Sequence, residues 1–492
     1  MRRERAKSRT PVGALLSEAE RRGTGQTHEP LVTPAVLNYT QFLIPSTETK
    51  AMPRPFAFLA IAFVATAAPA QQTREEKVRA DKKKIEAEGK WIYNDVPKAF
   101  AEAKTTGKPI IAVLRCLPCE ECVKLDDELI DADERIKPQL EKFVPLRIVS
   151  TNGLDLSLFQ FDTDQSFAVF FFRDDGTIYG RFGTRSHRKN WIGDVSVDGL
   201  AEAMKGALAL HADFPKVKGS LARKRGPVPE FARPELFPTL KNKYKATLDY
   251  EGKVVQSCIH CHQIGDAARD HLFAKNEVLP DSLLFPYPHP KSLGLILDPK
   301  ERATVLSVVE GSDAEKAGFQ VGDTFKTLAG QPLLSIADVQ WVLHNTPAEG
   351  GAVKAEIVRG KAPPMELTLK LAKGWRQRDD ISWRSSTWGL RRKALGGLFP
   401  IELPAEQRAK LKLPAEKMGL LIEHVGQYAP HDIAHKAGVR KGDVLVGFDG
   451  RTDFGRETDL IAYALREKKS GESVKLDLMR SGTAQTITMK LP

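Results

Sequence analysis

The chain has 492 residues, 41% hydrophobic and 28% charged, and its 74 Lys/Arg against 63 Asp/Glu leave a net charge of +11. That surplus is mild for the length and spread along the chain, so it excludes nucleic-acid binding and implies at most an acidic partner or a membrane surface. A chain this long is expected to build three or four domains.

Residues 52–70 have the anatomy of a secretory signal peptide. Met52-Pro-Arg-Pro opens the segment, residues 56–67 form an apolar stretch too short to span a bilayer, and Ala68-Pro69-Ala70 offers a small-x-small cleavage site before Gln71. Translation is therefore expected to start at Met52, with 1–51 a spurious extension and the mature protein exported to the periplasm or beyond. Taking away residues 1–70, with their nine Lys/Arg and five Asp/Glu, leaves 65 basic and 58 acidic groups, net +7. No second apolar segment is long enough for a transmembrane anchor, so the mature chain is expected to be soluble.

Residues 71–90 are charged throughout and lack an apolar stripe, which reads as a solvated helical or disordered lead. Over 91–212 the pattern gives a helix at 94–103, a turn at Gly107-Lys108-Pro109 and a buried strand at 110–114. A helix is expected at 123–129, then a continuous apolar strand at 167–172, an Asp174-Asp175-Gly176 turn and a closing helix over 197–211. Residues 213–235, rich in proline and basic residues, read as a linker. Residues 236–290 form a short segment, helical or irregular. From 291 the chain repeats itself: Ala314-Glu-Lys-Ala317-Gly318-Phe-Gln-Val-Gly322-Asp323 recurs as Ala434-His-Lys-Ala437-Gly438-Val-Arg-Lys-Gly442-Asp443. The two copies span 291–373 and 395–492. The connector 374–394 holds Trp383 and Trp388, which are expected to pack under the second copy.

All five cysteines fall in two clusters, Cys116-Leu-Pro-Cys119-Glu-Glu-Cys122 and Cys258-Ile-His-Cys261-His262. The first has the spacing of a dithiol redox site. The second has the spacing by which two thiols capture a haem whose iron the adjacent histidine ligates. Both chemistries belong outside the cytosol.

Strand 110–114 followed by C-x-x-C resembles the thioredoxin-like family, and the resemblance covers residues 91–212. It implies an α/β sandwich in which Cys119 is the nucleophile of a thiol-disulfide oxidoreductase, Cys122 the resolving thiol, and Cys116 an extra thiolate open to a soft metal. Three departures stand out: Glu120 and Glu121 oppose thiolate formation, Ser166-Phe167-Ala168 lacks the family's cis-proline, and the family's buried acid falls at Val113. Tyr250-Glu-Gly-Lys-Val-Val-Gln-Ser-Cys258 resembles the approach to the haem of c-type cytochromes. That implies haem c on Cys258 and Cys261, His262 as proximal ligand and His271 or His289 as distal ligand. The alternatives are zinc, from Cys258, Cys261 and two of His260, His262 and His271, or a plain disulfide.

The duplicated A-x-x-A-G-x-x-x-G-D run resembles the PDZ domains, α+β in fold, of bacterial HtrA-type exported proteases. It implies docking of peptide or protein C-terminal tails by strand addition. The carboxylate loops would be Leu293-Gly294-Leu295 and Gly396-Gly397-Leu398, with Val339, Leu343, Leu460 and Ala464 as pocket walls. No Gly-x-Ser-x-Gly or comparable site accompanies the repeat, so the sequence is not read as a protease. The expectation is an exported redox protein coupling a dithiol and haem c to PDZ docking. The alternatives are a PDZ scaffold without turnover, its cysteines structural, or a soft-metal chaperone.

Overall fold

Strands at Ile110–Arg115 and Phe167–Phe172 are apolar on both faces, and they form the centre of a sheet covered by helices on each side. The computed structural model describes residues 73–115, 133–165, 167–184, 186–187, 190–191 and 195–492. The signal segment, the Cys116–Cys122 cluster, the helix expected at 123–129 and Ser166 lie outside them.

The first sheet comprises β1 (Ile92–Tyr93), β2 (Ile110–Arg115), β3 (Val144–Ile148), β4 (Phe167–Phe172) and β5 (Ile178–Thr184), in the order β1-β3-β2-β4-β5. The pairs β1–β3 and β3–β2 are parallel, whereas β4 and β5 run antiparallel. Side chains alternate across β2 as the two-residue period demands. Ile110, Ala112 and Leu114 meet Ala99 and Ala103 of α2 (Val96–Thr106). Ile111 and Val113 face the core that holds Leu200, Met204 and Ala207 of α4 (Val197–Ala212). Helix α3 (Lys137–Leu140) and the small hairpin β6 (Ser186–His187) and β7 (Asn190–Trp191) complete this thioredoxin-like unit.

Two segments are more ordered than composition suggests. The charged lead is helix α1 (Arg74–Glu88), started by a Thr73–Glu76 capping box and seated by Val78 and Ile85. Asp81 pairs with the buried Arg115 at 2.6 Å, and Arg79 donates to the carbonyls of Tyr250 and Gly252. The expected linker begins with α5 (Phe214–Leu221), whose end residues bury in the sheet's core, and it delivers a fully buried Lys224.

After an irregular stretch come α6 (Cys261–Ala274) and α7 (Asp281–Leu284). The first repeat contains β8 (Leu295–Leu297), β9 (Val305–Val308), α8 (Asp313–Lys316), β10 (Asp323–Leu328), β11 (Gln331–Pro332), α9 (Ile336–His344), β12 (Gly351–Arg359) and β13 (Met365–Leu371). Helix α10 (Thr387–Leu395) leads into the second: β14 (Leu398–Glu402), α11 (Ala405–Lys410), β15 (Leu420–Val425), α12 (Ile433–Ala437), β16 (Val444–Phe448), α13 (Glu457–Glu467), β17 (Ser473–Arg480) and β18 (Thr483–Lys490). Its sheet runs β14-β15-β16-β17-β18.

The repeated motif has a physical reason in both copies. Ala314 and Ala434 are fully buried, and Gly318 and Gly438 adopt φ of +86° and +104°, which a side chain resists. The closing aspartates, Asp323 and Asp443, accept from the Gln320 and Arg440 amides. Each also pairs at 2.7 Å with an arginine of a later strand, Arg359 or Arg480, and that arginine donates back to the Gly318 or Gly438 carbonyl.

Helix α9 packs against both its own domain and β5. Asp338, fully buried, meets Lys224 Nζ at 3.0 Å and accepts from the Arg181 and Leu334 amides. Ser335 Oγ donates to the Arg181 carbonyl, and the Arg181 guanidinium lies 3.8 Å over the Trp341 ring. Burial pushes Arg181 down to about 10 and pushes Lys224 below its ordinary range, with Asp338 opposing both shifts. Removing one member of a dry ion pair strands the other's charge. Asp338→Ala is therefore expected to cost about 3–5 kcal/mol in urea unfolding, and Asp338→Leu with Lys224→Met to recover most of it.

Candidate functional site

Glycine carries the turn into each expected carboxylate loop. Gly294 has φ +76°, and a Cβ there would lie 2.2 Å from that of Ser312; Gly397 has φ +91° and abuts the His431 carbonyl. Leu293, Leu295 and Leu398 are buried, fixing their loops to the two cores. The loop donors are partly engaged: Gly294 N–H goes to Lys291 O and Gly397 N–H to Arg391 O. Gly396 is the left-handed cap of α10. Val339, Leu343, Leu460 and Ala464 do not line an open pocket; all four are buried in their domain cores.

The two copies differ in what surrounds the helix. Every residue of α9 from Ile336 to Leu343 is buried, and Tyr287 lies across its C-terminal half. Gln340 donates to the Tyr287 carbonyl, the Tyr287 amide donates to His344 Nδ1, and the two rings stack 4.0 Å apart. Helix α13 keeps Tyr463, Leu465 and Arg466 partly exposed, and β14 stands at the end of its sheet. Among the described residues no strand pairs with the outer edge of β14, although Pro400 removes one donor from that strand.

The connector meets the expectation in part, since Trp388 reaches His424 and His431 of the second copy. Trp383 lies half-buried under the Arg384 guanidinium, and Trp388 is 45% exposed with its ring 5.0 Å from that of His431. What docks the connector is Arg384, buried against Asp162 at 2.7 Å and Asp164, while Ser386 also donates to Asp164.

The C-x-x-C-H loop is clamped to the turn after β3. Ile259 N–H donates to Asn152 Oδ1, and the Ile259 carbonyl accepts from the Thr151 hydroxyl at 2.8 Å. Cys258 is 5% exposed and turned inward, its thiol donating to the Ile259 carbonyl. Burial pushes that thiol up, against the opposing hydroxyl of Ser150. Among the described residues Cys258 and Cys261 are not joined to each other by a disulfide. His262 faces outward at 41% exposure and pairs with Asp266 at 3.3 Å. A haem c needs both thioethers and the imidazole on one open face, so the residues as placed do not fit it. His271 is engaged by Glu230 at 3.1 Å, and His289 caps the turn at Lys291 as the chain enters the first repeat. Among the described residues no group of three or more His, Cys, Asp or Glu side chains converges as metal ligands.

A thioredoxin-like family model matches residues 91–173 and a PDZ-domain model residues 412–491. The chain thus contains thioredoxin-like and PDZ domains. A probable DegP-like periplasmic serine endoprotease of Pseudomonas putida strain F1 is 31% identical over 198 residues, covering 40% of this chain and 39% of that protein. Its counterpart in strain GB-1 is 30% identical over the same length and shares. A probable do/HhoA-like periplasmic serine protease of Haemophilus influenzae is 28% identical over 151 residues, covering 30% of this chain and 28% of that protein. The chain spans about two fifths of the length of the first two relatives. The solved HtrA-type protease AlgW with decapeptide aligns at TM-score 0.19 and 12% identity, covering 28% of this chain and 48% of that one, a score too low to argue from.

These relatives overturn the expectation of a redox or electron-transfer protein built on haem c, because they are periplasmic serine endoproteases. The inward Cys258 and outward His262 give the physical reason on the haem side: C-x-x-C-H here serves as a loop-to-helix junction. Sequence reasoning passed over Lys393, three residues before Gly396, and the Tyr287 cover on α9. The basic run Arg391-Arg392-Lys393 beside a glycine loop was a signal for the first; nothing local marked the second.

His344 provides a pH test. Burial first, then Arg376, Arg384 and Arg181, push it down to about 3 from an ordinary 6.5. Between those values the unfolded chain binds a proton that the folded chain refuses, so stability falls as pH drops from 6.5 toward 3. The slope contributed is about 1.4 kcal/mol per pH unit. Urea midpoints at pH 7 and pH 5 are expected to differ clearly in the wild type and much less in His344→Gln.

Proposed function

We propose that this exported chain is a peptide-docking protein of the periplasmic protease lineage. Its second PDZ domain takes extended segments or C-terminal tails of client proteins by strand addition along β14. The observation that carries the reading is the outer edge of β14, which no strand among the described residues pairs, beside α13, whose Tyr463 and Leu465 remain partly exposed. The first PDZ domain is not assigned the task, because its helix is enclosed by β5 and Tyr287. The thioredoxin-like unit then acts as the body on which the docking domain is mounted.

A second reading follows from the relatives' names: the chain itself cleaves exported proteins. The sheets described here belong to thioredoxin-like and PDZ units, which favours capture over cleavage. Incubating the purified chain with unfolded casein separates the two, since fragments support cleavage and a stable complex supports capture.

The docking test is fluorescence anisotropy with labelled decapeptides ending in an apolar residue. Binding is expected for a free C-terminus, with at least about tenfold loss, equivalent to about 1.4 kcal/mol, on amidation or in Leu465→Arg. Absence of binding to every peptide tried overturns the reading.

A further inference from the structure

Resting on the docking reading, we infer that α6 restrains the carboxylate-binding end of the second PDZ domain by holding Lys393, so that a docked peptide terminus must compete with α6 for that ammonium. Helices α6 and α10 run side by side with matched steps. Asp266 Oδ1 lies 4.0 Å from where a Cβ on Gly389 would sit, and one turn further in both helices Asp270 Oδ1 lies 4.0 Å from Lys393 Nζ. The Phe273 ring sits beneath the same ammonium, 4.4 Å from its centroid. Leu272 and Phe273 also pack on the core of the second PDZ domain, which fixes the end of α6 in place.

Lys393 lies in the last turn of α10, and the chain passes from that turn directly into the Gly396-Gly397 loop. A lysine in a final helical turn reaches the terminal carbonyls and whatever anion gathers beside them. An ammonium drawn between Asp270 and Phe273 is already partly neutralised and held toward α6, so a peptide carboxylate gains less from it. The ligand class that senses this contact is therefore a peptide with a free C-terminus, whereas an internal or amidated segment does not call on Lys393. The Lys393 ammonium is pushed down by burial and opposed by Asp270, in keeping with a group drawn in between the helices.

The experiment uses the full chain carrying Asp270→Asn or Phe273→Leu, with two readouts. In anisotropy with free and amidated forms of one labelled decapeptide, both variants are expected to tighten the free form about two- to fivefold, the range a partly exposed ion pair supports. The amidated form is expected not to change, and Lys393→Gln added to either variant is expected to abolish the gain. In hydrogen exchange, the amides of residues 394–398 are expected to exchange faster in Asp270→Asn without any peptide present. An equal gain for both peptide forms, a gain that survives Lys393→Gln, or unchanged exchange at 394–398 overturns the restraint. Faster exchange with no binding of any peptide upholds the restraint and overturns the docking reading instead. Asp270→Asn is nearly isosteric, so it keeps the test decisive if Phe273→Leu fails to fold.

Discussion

The dry contact among Asp338, Lys224 and Arg181 joins three parts of the molecule that are far apart in sequence: a helix of the first repeat, the segment after α5, and the fifth strand of the thioredoxin-like sheet. Desolvating such charges is costly, and only close geometry offsets it. The arrangement fixes α9 in one orientation, and Ser335, Trp341 and Tyr287 then close around it. The helix of the first repeat has become an internal joint. The difference between the two repeats is thus set by what covers each one, and their motifs are alike.

The apolar runs of β2 and β4 made the central sheet legible, because residues buried on both faces leave little choice of environment. The duplicated motif was legible for a firmer reason: two alanines, two glycines and an aspartate each meet a separate local requirement within ten residues. Boundaries and long-range partners were not legible. A charged stretch such as α1 looks solvated until Asp81 finds Arg115, and a basic segment looks like a linker until Lys224 finds Asp338. Neither partner is near in sequence, so no local pattern could show them. The pocket walls were misread because helical spacing marks the apolar face, and here that face serves the domain's own core.

The C-x-x-C-H loop shows how short motifs mislead. Spacing alone places two sulfurs and an imidazole close together along the chain, yet the direction of each side chain is set by the packing around it. Asn152 and Thr151 grip Ile259, which turns Cys258 inward, and the start of α6 carries His262 outward to Asp266. The loop thereby anchors α6 at the thioredoxin-like unit while the far end of the helix rests on the second PDZ domain.

The aspartate–arginine clamps of the two repeats share one design: the aspartate opens one strand, and the arginine returns from a later strand to close on the preceding glycine. Each clamp is complete within its own repeat and asks nothing of its neighbours. The loops outside it are therefore free to diverge while the frame stays locked, which makes the clamp a natural splice point. Chimaeras that exchange the clamp residues between the repeats should keep both frames, provided α9 stays in place to hold Asp338 against Lys224.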